Sequence, residues 1–67
     1  MTYADLKEAL NKGSAISWAS LKVVYRGANG WQREQIELWT YHRSTKIVGV
    51  PHKGDRDKVL RSLRTNR

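Results

Sequence analysis

The sequence predicts an α+β domain in the order α-β-β-β-α, a three-stranded antiparallel sheet with two helices packed on one of its faces. Three observations lead there. A helix-start signature opens the chain, a two-residue period runs from Ser20 with an Asn-Gly pair at its centre, and an amphipathic basic segment follows the single proline.

Each element has its own reason. Thr2 can accept from the free backbone N–H groups of a first turn while Asp5, three residues on, reaches back to complete a capping box. Tyr3, Leu6 and Leu10 then share one helical face, with Lys7, Glu8 and Lys12 outward and Gly13 as a stop, which predicts a helix over about residues 2–12. From Ser20, Leu21, Val23 and Tyr25 alternate with Lys22, Val24 and Arg26, the spacing of a strand. Gly27-Ala28-Asn29-Gly30 reads as the hairpin turn after it, because Asn-Gly accepts positive φ at both positions. The second strand is expected within Gln32–Arg43, with Ile36, Leu38 and Thr40 on one face and Glu37, Trp39, Tyr41 and Arg43 on the other. Ser44-Thr45 makes a short turn, and Lys46–Val50 forms the third strand, ended by Pro51. Gly49 within it points to a close approach by backbone or ligand. Asp55 caps a last helix whose stripe is Val59, Leu60 and Leu63, flanked by Lys58, Arg61 and Arg64, and the tail from Arg64 to Arg67 is expected to fray.

Sixty-seven residues leave room for one small domain, residues 1–67, with a modest core. The absence of cysteine excludes disulfides and thiolate metal sites and fits a reducing cytoplasm. No stretch has the length and apolarity of a membrane span or a secretion signal, so a soluble cytoplasmic protein is expected. Charge is the strongest global signal. Thirteen Lys and Arg against six Asp and Glu give +7, and residues 36–67 hold eight of the basic and three of the acidic groups. Positive charge gathered in one half of a small domain predicts a polyanionic partner, nucleic acid before membrane.

The candidate contacts follow from that charge. On the uncovered sheet face a Trp39-x-Tyr41-x-Arg43 ladder would stack on bases and grip phosphate. Lys46, His52, Lys53, Arg56, Lys58, Arg61 and Arg64 would contact several phosphates together, with the free N–H groups at the start of the last helix behind Gly54 as a further seat. Two histidines, His42 and His52, are too few for a metal site, so neither metal nor cofactor is expected. If the chain is a nuclease, they are the acid and base, one taking the 2′-OH proton and the other protonating the leaving oxygen.

Val48-Gly49-Val50-Pro51-His52, a polar turn and Val59-Leu60-Arg61-Ser62-Leu63 resemble the C-terminal half of HicA-type toxins, and Asp5–Gly13 is similar to their first helix. That family comprises small basic ribonucleases with a double-stranded-RNA-binding-like fold, and the resemblance implies that fold and contact with RNA. The family's catalytic histidine follows a glycine and a small hydroxyl residue at a strand start. The comparable segment here, Gln32–Leu38, holds no histidine. The leading expectation is therefore a non-enzymatic nucleic-acid-binding protein making mainly phosphate-backbone contacts to RNA or DNA, of the kind that serves as a phage or mobile-element regulator. The alternatives are a HicA-like metal-independent ribonuclease and a module that binds an acidic host protein as adaptor or inhibitor. The edges of a three-stranded sheet also make a homodimer an expectation.

Overall fold

The computed structural model describes residues 1–42 and 46–65 and shows a helical protein. Four helices, α1 (Tyr3–Asn11), α2 (Trp18–Gly27), α3 (Gly30–Thr40) and α4 (Arg56–Arg64), are joined by two short strands, β1 (Ile16–Ser17) and β2 (Ile47–Val48). The strands pair in parallel, Ile16 opposite Ile47 and Ser17 opposite Val48. A parallel pair needs a long crossover, and α2 with α3 supplies it.

The first and last helices match the sequence reading. Thr2 Oγ1 accepts from the Asp5 N–H at 3.2 Å and Asp5 Oδ2 accepts from the Thr2 N–H at 3.1 Å, closing the capping box of α1. Gly13 follows at φ +74°, the left-handed conformation that lets the chain turn away after a helix. Asp55 caps α4 by accepting from the Lys58 N–H, and Val59 and Leu63 are its buried residues.

The middle of the chain is where the expected sheet fails. Residues 20–26 and 32–40, read as strands, are helical. Ser17 Oγ accepts from the Ser20 N–H, so α2 begins with a cap, and Leu21, Val24 and Tyr25 then fall on one buried face at helical spacing. What made the segment resemble a strand is Val23, apolar yet 61% exposed. The adjacent Val23-Val24 pair satisfies both periods, and packing selects the helical one.

Asn29-Gly30 is likewise no hairpin turn. A two-residue hairpin of that kind needs positive φ at both residues, whereas Asn29 sits at φ −79° as the N-cap of α3. Its Oδ1 accepts from the Gln32 N–H at 2.8 Å and Gln32 Oε1 accepts from the Asn29 N–H at 3.2 Å. A second capping box thus stood in the sequence as Asn-x-x-Gln. The expected alternation of residues 36–43 over two sheet faces goes with the sheet. Ile36 is buried, Trp39 packs against the same core, and Leu38 faces solvent. The third expected strand survives as the two residues of β2. Gly49 follows it at φ +83°, and a Cβ there would lie 3.9 Å from the Trp18 Cβ, so backbone geometry more than crowding requires glycine. The turn expected at Ser44-Thr45 lies outside the described residues, as do Asn66 and Arg67 of the tail expected to fray, whereas Arg64 is the last residue of α4 and Thr65 caps it by donating to the Arg61 carbonyl.

One core holds these pieces. Leu6, Leu21 and Ile36 are fully buried, one each from α1, α2 and α3, and Ile16, Val24, Tyr25 and Leu63 complete the cluster. Arg33 of α3 locks the α2–α3 corner. Its Nε and Nη2 donate to the Tyr25 and Arg26 carbonyls at 3.1 and 3.0 Å, and its guanidinium lies 5.2 Å from the Tyr25 ring centre. These are carbonyls at the end of α2, beyond the reach of its regular ladder, and that of Tyr25 also accepts from the C-cap N–H of Ala28 at 3.2 Å. No helix among the described residues is long and apolar enough to cross a membrane.

Two outcomes check this architecture. Asn29→Ala should cost about 1 kcal/mol in denaturant unfolding, and Asn29→Ser should recover most of it, because serine caps a helix but does not suit a two-residue hairpin. Asp5 is the second. Its hydrogen bonds to the Thr2 backbone and hydroxyl hold the carboxyl below its ordinary 3.8. A depressed folded-state value means that the contribution is complete above 3.8 and lost as pH falls through the lower folded value. Asp5→Ala should therefore lower the melting temperature at neutral pH, with the difference from wild type closing as the pH is taken well below 3.8.

Candidate nucleic-acid interface

The chain leaves the core twice on the same side of the molecule, at the end of α3 and along the link from β2 to α4. Thr40 ends α3 with its hydroxyl donating to the Ile36 carbonyl at 2.8 Å, the back-bond that a threonine makes in a helix. Tyr41 is the C-cap, and Tyr41 and His42 project beyond it. Across from them, β2 and the residue before it deliver Val48 and Lys46, and the turn before α4 and the first residue of that helix deliver Lys53 and Arg56. Between the two lies an open cleft of about 610 Å³ with Ile47, Val50 and Val59 among its apolar lining.

Arg56 is placed by Tyr41. Its guanidinium carbon lies 4.5 Å from the ring centre and its Nη2 donates to the Tyr41 hydroxyl at 3.1 Å. A cation over an aromatic face gains electrostatically, and the planar guanidinium keeps its remaining N–H groups directed outward. Among the described residues, the salt bridges are Lys12–Glu8, Lys58–Asp55 and Arg64–Glu37. Lys46, Lys53 and Arg56 therefore meet the cleft without a carboxylate neutralising them.

Five of the residues singled out in the sequence, Tyr41, His42, Lys46, Lys53 and Arg56, come together on this cleft. The others do not join them. Trp39 is half-buried and stacks on Tyr3, with ring centres 5.6 Å apart, so the exposed three-residue ladder of the expected sheet does not exist. Arg43 lies outside the described residues. His52 is exposed on the turn and outside the cleft lining, in the left-handed region at φ +52°, with its carbonyl accepting from the Asp55 N–H. Histidine tolerates that region better than most residues, and Gly54 beside it shares the tight turn. Lys58 stays near Asp55 at 4.0 Å. The anion seat expected at the start of α4 is taken by Asp55, whose carboxylate accepts from the Lys58 N–H.

The two last arginines divide. Arg64 donates through Nε and Nη2 to Glu37 Oε1, which ties α4 to α3, and this hydrogen bond followed by the carboxylate charge raises the guanidinium's pKa further. Arg61 has no such partner among the described residues and lines a separate recess with Trp18, Lys22 and Pro51. Sequence reasoning missed Thr40, Val48 and Val50 as neighbours of the basic groups. The signal for Thr40 was the helical period of α3, which the competing strand period concealed, and Val48 and Val50 are brought there by the parallel pairing of β2 with β1.

The distinction between the arginines has a direct check. Arg64→Ala should lower the melting temperature because Glu37, only 14% exposed, loses its cation, while Arg61→Ala should leave the melting temperature at the wild-type value.

No family model, no curated protein and no solved structure matches this chain.

Proposed function

We propose that this protein binds nucleic acid, mainly through its phosphate backbone, with the cleft between the end of α3, β2 and the start of α4 as the contact surface. The observation that carries the reading is the convergence of Lys46, Lys53 and Arg56 on one concavity with no described carboxylate to neutralise them. Three cations converging in this way attract a polyanion, and flexible lysines beside a fixed arginine suit phosphates whose spacing varies. The net charge of +7 supplies long-range attraction to any such partner.

The surface favours binding over cleavage. Cleavage by two histidines requires both imidazoles at one phosphate, and His42 lines the cleft whereas His52 stands outside it. The α2–α3 corner is also a poor reader of a DNA groove. The second helix of that corner, α3, carries Glu34 and Glu37, its one arginine is spent on α2, and its exposed residues include Trp31 and Leu38. A regulator that holds a strand fits this arrangement better than one that reads base edges.

A salt series tests the reading. Affinity for RNA or DNA should fall log-linearly with salt, with a slope of about −0.7 per phosphate engaged on a single strand or −0.9 on a duplex, and a Lys46→Ala/Lys53→Ala variant should flatten it by about two such steps. Absence of binding at low salt removes the proposal, and capture of an acidic protein that survives nuclease treatment replaces it. RNA incubated with the protein in EDTA should remain intact.

A further inference from the structure

Behind Tyr41 and His42 lies a second concavity, lined with Gln35, Leu38 and Trp39 and about 620 Å³ in volume. Tyr41 and His42 line both this groove and the basic cleft, so they form a wall that the two concavities share. The sides of that wall differ in chemistry. On the cleft side stand the cations, with Arg56 over the Tyr41 ring. On the groove side stand Leu38, 53% exposed, and Trp39, which also stacks on the Tyr3 ring.

We infer that the cleft and the groove together take single-stranded nucleic acid, with a phosphate on the Lys46-Lys53-Arg56 side and an unpaired base in the groove against Leu38, Trp39 and the Tyr41–His42 wall. This rests on the nucleic-acid reading above and narrows it. The argument is one of access. In a duplex, each base has its faces covered by its neighbours and offers only its edges, at the bottom of a groove. An apolar, aromatic concavity recessed behind a wall reaches none of those edges. In a single strand the base can swing out, its face is free to lie on aromatic and aliphatic side chains, and its phosphate remains one sugar away. A cationic cleft and an aromatic groove that share a wall match the two halves of one nucleotide. Tyr41 is suited to divide them, since Arg56 already braces its ring and hydroxyl and little further ordering is needed on binding. The chemistry is indifferent to the sugar, so both RNA and DNA strands are accepted.

The experiment compares fluorescently labelled oligo-U and oligo-dT with duplexes of the same length by anisotropy at several salt concentrations. Tyr41→Leu, Leu38→Asp and Lys46→Ala/Lys53→Ala are measured beside the wild type, and the circular dichroism of each variant is recorded. The single strands should bind at least about tenfold more tightly than the duplexes. Leu38→Asp should weaken single-strand binding by about tenfold while leaving the number of phosphates engaged, and so the salt slope, unchanged, and Tyr41→Leu, which also removes the brace on Arg56, should weaken it by at least as much. The double lysine variant should flatten the slope instead. A nucleoside monophosphate should displace the labelled strand from the wild type at concentrations where inorganic phosphate does not. Equal or tighter binding of duplex overturns the inference and leaves the general proposal standing. So does displacement by phosphate as good as by the nucleotide. No binding of either form at low salt overturns both. The strand comparison and the competition use the wild-type chain alone, so a variant that fails to fold does not shelter the inference.

Discussion

The buried stripe of α2 is the constraint on which the rest of the molecule depends. Leu21, Val24 and Tyr25 occupy one face of a ten-residue helix, and that helix touches α1, α3 and β1. A chain this short has few residues to spare for a core, so a single central helix must serve several neighbours. Leu6, Leu21 and Ile36, one fully buried side chain from each of the first three helices, meet there. Once α2 is central, its two ends are decided. Ser17 caps the start, which places β1 beside it, and Arg33 takes the carbonyls at the finish, which sets the angle at which α3 leaves.

The basic cleft is a consequence of that geometry at one remove. α3 directs Tyr41 and His42 past the edge of the core, and the parallel pairing of β2 with β1 brings the chain back beside them. α4 closes the arrangement by burying Leu63 in the core and fastening Arg64 to Glu37. With α4 held in this way, its first turn and the preceding loop face the end of α3, and Lys53 and Arg56 arrive where Lys46 already points. None of these cations is held by a carboxylate among the described residues, whereas two arginines elsewhere in the fold, Arg33 and Arg64, are spent on a helix end and on helix docking. Basic residues of one type thus divide into structural and available sets, and only their partners distinguish them.

Much of the chain could be read without coordinates where the signal was local. Thr2-x-x-Asp5 and Asp55 announced helix starts because a cap involves residues three apart, whatever the rest of the chain does. Gly13 closed α1 for a similar reason. The errors came where two local patterns competed. Asn29-Gly30 is a hairpin signal and Asn29-x-x-Gln32 is a capping box, and the residues are the same. Val23 and Val24 together allow either period. β-branched and aromatic residues in these segments, Val23, Val24, Tyr25, Ile36 and Trp39, tilted the reading towards strands because intrinsic propensity does so. Burial reverses that tilt, since propensity differences amount to tenths of a kcal/mol per residue and placing three apolar side chains in one core is worth several.

The sequence by itself determined the two outer helices with their caps, the break at Gly13, and the concentration of positive charge in the second half, all of them set by neighbours within a few residues or by composition. Only the tertiary structure decided that the middle is a helical pair, that Trp39 faces the core while Leu38 is exposed, and that Arg64 is an internal tie while Lys46, Lys53 and Arg56 share a cleft with Tyr41. Those decisions depend on which apolar faces can be buried at the same time. That is a property of all the elements together, and no window along the chain contains it.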